Sequence, residues 1–251
     1  MRGDSSDAVR RAFKRTKVRK ESAGPVNVFE ADLDLADGLA PKGCPPPLVR
    51  QIVIGPGTWD PSVEGARFGL LMLSGFLVRR VELAGRRSAE LLGQGDVLRP
   101  LEIEADPWAM VPSRATWSAL DTVRLAALDA RFASWCAAHP EVVSRLYSRI
   151  LRRSRTLALR LALVQLPRVL ARLHFLLWHL ADRFGHTCRE GVSLSVPLTH
   201  SLLADLVSAA RPTVTLALGE LEQHGLLRRS SAHGWTLLGR PPPAALAEEP
   251  G

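Results

Sequence analysis

The amino-acid sequence predicts an α+β protein: an N-terminal antiparallel β-barrel, a long helix and a C-terminal winged helix-turn-helix. Three observations carry this prediction. Between residues 48 and 130, short apolar runs alternate with glycine-rich turns, at the roughly 8–12-residue spacing of small antiparallel barrels and sandwiches. After Pro140 the apolar residues step at helical intervals instead. From residue 198 to 238 the pattern is helix, tight turn, helix and hairpin.

The size and composition suit that architecture. The chain has 251 residues, one large or two modest domains at roughly 100–200 residues each. Apolar residues make up 46% and charged residues 23%, enough for a substantial core. The cysteines Cys44, Cys136 and Cys188 exclude a disulfide scaffold and fit a reducing compartment. No uncharged apolar run reaches the roughly 18 residues of a membrane span, and the charged N-terminus lacks the apolar core of a signal peptide. A soluble cytoplasmic protein without membrane contact is expected.

The net charge of +8 is unevenly spread. Residues 1–24 carry +5 and read as a flexible basic arm. Residues 25–138, the barrel region, carry −3, and residues 139–240 carry +8 with fourteen Arg against six acidic residues. A basic block of this kind points to a polyanion partner, most simply nucleic acid. An Arg-rich solvated surface would give the same balance.

Within the barrel region, residues 41–47 contain Pro41, Pro45, Pro46 and Pro47 and form no helix or central strand, because proline lacks the amide hydrogen. Gln51–Ile54 ends at Gly55-Pro56-Gly57, and the apolar run Phe68 to Val81 breaks at Ser74-Gly75. Ala84-Gly85-Arg86-Arg87 reads as a hairpin turn. Ala89–Leu92, Val97-Leu98, Thr116–Leu120 and Val123–Leu128 complete the strands.

In residues 139–166, Val143, Leu146, Ile150, Leu157, Leu161 and Val164 step by 3, 4, 7, 4 and 3. This heptad seam points to a helix that pairs with a second copy; packing on the helix's own domain is the alternative. Pro167 interrupts the helix, and a second one over 168–183 turns Val169, Leu173, Leu176, Leu177 and Leu180 inward. Residues 167–240 form the winged unit, and residues 241–251 read as a disordered end.

The informative segment is Leu198 to Leu238. Thr199 can cap a first short helix through its hydroxyl. Leu203 and Leu206 face inward, and Ala204 is small where two helices approach. A tight turn near Val207–Ala209 leads into a second helix, whose Val214, Leu218 and Leu221 face the core. Pro212 lies in that helix's first turn, where a missing amide hydrogen costs nothing. Leu226–Arg229 and Trp235–Leu238 flank a turn and form a wing.

Such a unit reads the major groove of double-stranded DNA with the second helix, while the first crosses the backbone. Arg211 stands where it can grip a guanine edge or a phosphate. Pro212 shares that N-terminal turn, Thr213 and Thr215 offer hydroxyls, and Leu216 can meet a thymine methyl. Thr199, His200, Ser201, Arg228 and Arg229 would lie near the backbone. A helical hairpin that binds protein remains the alternative.

At these residues the chain resembles the cyclic-AMP receptor protein / fumarate-nitrate regulator (Crp/Fnr) superfamily of bacterial transcription regulators. The likeness covers about 48–239. It is best at Leu198 to Leu227, through Arg211-x-Thr213-Val214 and Leu221-Glu222-x-x-Gly225. Gly75-Phe76-Leu77, Glu90 to Leu98 with its Gly93-x-Gly95-Asp96, and Leu125 to Asp129 resemble the family's cyclic-nucleotide-binding-like jelly roll. The resemblance implies a homodimer on a roughly palindromic site. It also implies motion of the winged helix against the sensory domain, hinged near Pro167, and admits RNA polymerase as a further partner.

The departures concern the ligand. Cyclic-nucleotide members of the family hold the phosphate with a Gly-Glu pair followed by Arg-Ser or Arg-Thr. Here Val97-Leu98-Arg99-Pro100 follows Asp96, and Arg87-Ser88-Ala89 precedes the glycine strand. Glu102, Glu104 and Asp106 would repel a phosphate. Cyclic AMP is therefore not expected, and the effector stays unassigned. Pro212 replaces an acidic base-reading residue and Leu216 a basic one, so the target sequence should differ from the family's best-known site. Ser208 stands where the turn often has glycine.

Other chemistry finds little support. Three scattered cysteines do not make the four thiolates of an iron–sulfur cluster. A haem needs one or two ligands, which His139, Cys136 or Cys44 could supply, but single residues of this kind are more often structural. His174 and His179 are five apart, off the four-residue spacing that stacks ligands on one helix face, and read as a packing or capping pair. Trp108, Trp117 and Trp135 are expected in the barrel and its junction. No Ser-His-Asp elbow, Walker loop or paired-carboxylate pattern is present, so no catalytic residue is assigned. An interaction or effector-binding protein whose winged helix reads no bases stays open.

Overall fold

The structure is a computed structural model that describes residues 20–32, 47–61, 68–98, 111, 114–230 and 234–242. Among the described residues its N-terminal half has nine strands: β1 (Lys20–Asn27), β2 (Leu48–Ile54), β3 (Gly57–Trp59), β4 (Gly69–Ser74), β5 (Leu77–Leu83), β6 (Arg86–Leu92), β7 (Val97–Leu98), β8 (Arg114–Ala119) and β9 (Val123–Leu128). They make two antiparallel sheets, ordered β1-β2-β9-β4-β7 and β3-β8-β5-β6. Ile52, Leu70, Met72 and Leu125 of the first sheet share a core with Trp59, Leu77, Leu92 and Trp117 of the second. The expected barrel is thus a jelly-roll-like sandwich: among the described residues no strand of one sheet pairs with the other.

Strand β4 (Gly-Leu-Leu-Met-Leu-Ser) is buried on both faces, which explains why it shows no alternation. Leu70 and Met72 face the second sheet. Leu71 and Leu73 face helices α1 (Val28–Ala31), α2 (Ala130–Ala137) and α3 (Pro140–Leu163), through Phe29, Phe132 and Leu146. Asp129 caps α2, accepting from the N–H groups of Arg131 and Phe132 at 3.0 Å. Pro140 opens α3 in the first turn, where proline is tolerated.

Residues 20–24, expected in the flexible arm, belong to β1, which pairs with β2 from Lys20↔Ile54 to Asn27↔Leu48. The pairing is broken by an irregularity between Ala23 and Pro25, as suits a proline on an edge strand. Nothing in Lys-Glu-Ser-Ala-Gly-Pro alternates, so the strand is invisible without its neighbour. The arm's residues 1–19, Cys44, Glu102, Glu104, Asp106 and Trp108 lie outside the described residues.

The C-terminal half holds α4 (Val169–Phe184), β10 (Gly185–Cys188), β11 (Gly191–Leu194), α5 (His200–Val207), α6 (Arg211–Gln223), β12 (Leu227–Arg229) and β13 (Trp235–Leu237). The hairpin β10–β11 was not expected. It extends the wing to a four-stranded sheet, β10-β11-β13-β12. Leu173, Leu176, Leu177 and Leu180 of α4 are all buried, in a cluster with α5 and α6.

That cluster also takes in Val78, Ala89 and Leu91 of the β5–β6 hairpin, so the winged unit rests on the second sheet. Arg80 pairs with Asp205 of α5 at 3.0 Å. Arg183 of α4 donates to both oxygens of Asp96, at 2.9 and 2.8 Å. Phe76 meets Phe184 edge-on at 5.2 Å. A Cβ at Gly93 would lie 2.5 Å from the Phe184 ring, so any larger residue there would force the ring to move.

Helix α3 faces three ways. Arg149 binds Asp32 and the Gly95 carbonyl, and Arg153 binds Glu90. Leu146 is buried against the first sheet, and Val164, just past the helix end, is half-buried against the winged unit. These two residues of the expected seam therefore turn into their own chain. Val143, Ile150, Leu157 and Leu161 are exposed. With Tyr147 and Ser154 they form one outward stripe at spacings of 4 and 3. The helix ends at Leu163 rather than 166.

Candidate nucleic-acid interface

Thr199 caps α5, its hydroxyl accepting from the Leu202 N–H at 3.2 Å. Leu202, Leu203, Ala204 and Leu206 are buried. Ser208 ends α5 in the left-handed region, with φ 53° and ψ 52°. This turn sets the axes of α5 and α6 at 101°, as in other helix-turn-helix units.

Helix α6 buries Val214, Leu218 and Leu221. Arg211, Pro212, Thr213, Thr215 and Leu216 are exposed on its N-terminal half. Leu216 is 75% exposed, unusual for so large an apolar side chain. The edge residues come together around a cleft of about 710 Å³, lined among others by Thr199, His200, Ser201, Arg211, Arg229 and Trp235.

His200 ties three elements at the cleft. Thr215 Oγ1 donates to the Arg211 carbonyl at 3.1 Å, which uses its only proton. The same oxygen lies 2.9 Å from His200 Nδ1 and so accepts the proton there. Nε2 is left as the acceptor facing Arg229 Nη2 at 3.4 Å. Burial, then the cations of Arg229 and Arg211, hold the imidazole below its ordinary value, with a smaller opposing effect from Glu222.

Arg228 and Arg229 diverge, because neighbours on a strand point to opposite faces. Arg229 lies over the Trp235 ring at 5.2 Å and lines the cleft. Arg228 pairs with Glu190, in the turn of the unexpected hairpin. The sequence reading missed Glu190, and it placed Trp235 on the wing without its role at the cleft. A single aromatic and a lone acid carry no signal until the sheet pairs them.

The remaining cysteines, histidines and tryptophans have structural surroundings. Cys136 is buried beneath the first sheet, and His139 stacks on Trp135 at 3.9 Å. His174 accepts from Trp178 Nε1–H at 3.1 Å. His179 is half-buried, and its Nε2 has no hydrogen-bond partner among the described residues. Trp117 packs the sandwich and Trp135 the helix junction. Arg87 pairs with Glu82 on the exposed end of the β5–β6 hairpin. No described helix is long and apolar enough to cross a membrane, and no group of three His, Cys, Asp or Glu among the described residues could hold a metal.

Comparison with known proteins agrees with this geometry. Residues 171–241 match the Crp-like helix-turn-helix domain. The regulatory protein CysR of Synechococcus elongatus is 36% identical over 72 residues, 28% of this chain and 35% of its own length. The CRP-like cAMP-activated global transcriptional regulator of Mycobacterium tuberculosis is 33% identical over 141 residues, 55% of this chain and 60% of its own length. The chain thus spans less than two thirds of either curated relative. A CRP-family transcriptional regulator from Thermus thermophilus superposes with a TM-score of 0.52 at 25% identity, over 74% of this chain and 90% of that one. The resemblance to the Crp/Fnr superfamily is borne out, in the fold and in the helix-turn-helix.

Proposed function

We propose that this chain is a sequence-specific DNA-binding transcription regulator acting as a homodimer, because residues 171–241 match the Crp-like helix-turn-helix domain and the fold is Crp/Fnr-like. One observation carries the reading: the N-terminal half of α6 stands exposed beside a cleft that gathers Arg211, His200 and Arg229. Helix, cations and wing are arranged as a major-groove reader with phosphate contacts needs. Arg211 and Thr213 face the bases, Leu216 offers an apolar contact to a thymine methyl, and Thr199, Ser201 and Arg229 hold the backbone. The outward stripe of α3 supports the dimer. Its Val143, Ile150, Leu157 and Leu161 keep heptad spacing and stand exposed among the described residues.

The effector is proposed to be other than cyclic AMP, because the Gly-Glu and Arg-Ser order is missing after Asp96. The reading places the protein in the cytoplasm and admits RNA polymerase as a further partner.

Selection of random duplex DNA by the purified protein at physiological salt tests this. Recovery of a two-fold symmetric motif is the expected result. Binding without an enriched motif, falling steeply with salt, would reduce the contact to phosphates alone. No retention at all would favour an interaction protein whose winged unit binds no DNA.

A further inference from the structure

The His200 network has a consequence beyond positioning. Nδ1 is committed as a donor to Thr215, and the acceptor Nε2 is held against the Arg229 guanidinium. In this state the imidazole is neutral and offers nothing to an anion. Adding a proton at Nε2 removes its lone pair and sets an N–H beside Arg229 and Arg211, on the wall of the cleft. Three cationic donors then converge where only two did before. A backbone phosphate is the polyanion group this cleft would meet.

We infer that DNA binding by this protein is proton-linked: a backbone phosphate entering the cleft draws one proton from solvent onto His200 Nε2, which then donates to a phosphate oxygen. The inference rests on the DNA-binding reading above. The groups facing His200 are Arg229 from β12 and Arg211, Thr215 and Glu222 from α6. In the free protein the two arginines oppose protonation, Glu222 favours it weakly, and burial opposes it most. A phosphate reverses the balance, because its negative charge offsets both guanidinium groups. The pKa is thus higher bound than free, so protons are taken up on binding between the two values. There, affinity rises as pH falls, by at most about tenfold per pH unit for each His200 engaged. Above the bound value and below the free one, affinity is flat with pH.

Phosphate contacts carry no sequence information, so an arbitrary duplex of about 30 bp at low salt serves as the probe. The full-length protein is titrated calorimetrically in buffers of different ionisation enthalpy between about pH 8 and pH 6, which counts protons directly. A purely structural histidine would not change this count. The expected result is uptake approaching one proton per bound protomer, with a dissociation constant that falls as pH falls. His200→Asn removes both the uptake and the pH dependence. His200→Lys, permanently charged, binds at every pH about as the wild type does at low pH. His233, close in sequence to Arg229, is the other histidine that needs a control, so His233→Asn keeps the uptake. Binding without proton uptake, uptake that persists in His200→Asn, or uptake lost only in His233→Asn would each overturn the inference and leave DNA binding standing. No retention of any duplex at any pH would overturn the DNA reading and this inference with it.

Discussion

Arg149 and Asp32, 117 residues apart, form a bidentate ion pair under the sandwich, with hydrogen bonds of 2.5 and 2.8 Å. The arginine side chain is 6% exposed and the carboxylate 2%. The pair fastens the long helix to the segment that follows β1, and Arg149 also reaches the Gly95 carbonyl at 3.2 Å. Removing one partner leaves a buried charge uncompensated, whereas replacing both by apolar groups is often tolerated. Asp32→Ala is therefore expected to lower stability by about 3–5 kcal/mol. The double variant Asp32→Leu with Arg149→Leu should recover most of that loss. Urea unfolding followed by circular dichroism measures both. Equal losses in the single and double variants would contradict the account.

The outward stripe of α3 makes a prediction about assembly. Ile150 is 43% exposed and Leu157 39%, so a charge at either position does little to the isolated chain. Across a two-helix seam it buries a carboxylate without a partner. Ile150→Glu or Leu157→Glu should give a folded monomer by sedimentation, with affinity for a two-fold symmetric duplex sharply reduced. A sedimentation coefficient unchanged from the wild type would contradict the seam.

Arg211, Arg228 and Arg229 should behave differently. Arg211→Ala is expected to cost about 1–3 kcal/mol and to relax the preference at one base position. Arg229→Ala should weaken all duplexes alike and reduce the salt slope by about one. Arg228→Ala should do less than either, because its guanidinium is paired with Glu190 on the other face of the sheet. Binding titrations over a range of salt, with single-base variants of the selected motif, separate the three.

Thiol reactivity should divide along burial. The Cys136 thiol is pushed up to about 11 by burial, with a smaller push from Glu141, from an ordinary value of 9.0. Cys188 is exposed. Alkylation of the native protein at about pH 8, read by peptide mass, should modify Cys188 and spare Cys136, since only the thiolate reacts. The native state holds the Cys136 proton more tightly than the unfolded chain does. That contribution to stability is therefore complete below the unfolded-state value and declines as pH rises toward 11.

Much of this protein is determined by its sequence alone. Most strands between residues 51 and 128 follow from apolar runs that glycine turns interrupt, because burial and turn conformation are both local requirements; the short β3, which begins inside the Gly55-Pro56-Gly57 turn, does not. The helix-turn-helix follows from Thr199, Ala204, Pro212 and the spacing of Val214, Leu218 and Leu221. A cap, a close approach and an inward face each demand a residue type at a fixed interval.

What the tertiary structure decided are the matters that depend on a neighbour. A strand as polar as β1 exists only because β2 offers its hydrogen bonds. Whether nine strands close into a barrel or stack as two sheets depends on pairing at the edges, and no run of residues records that. Helix α3 carries apolar residues on more than one side, and helical periodicity cannot say which side meets its own chain. The sandwich claims Leu146 and the winged unit Val164, and Val143, Tyr147, Ile150, Leu157 and Leu161 are left facing outward. For the same reason Arg228 and Arg229, adjacent and identical in type, take different partners. The alternation of a strand separates them, and only the packed structure shows which face borders the cleft.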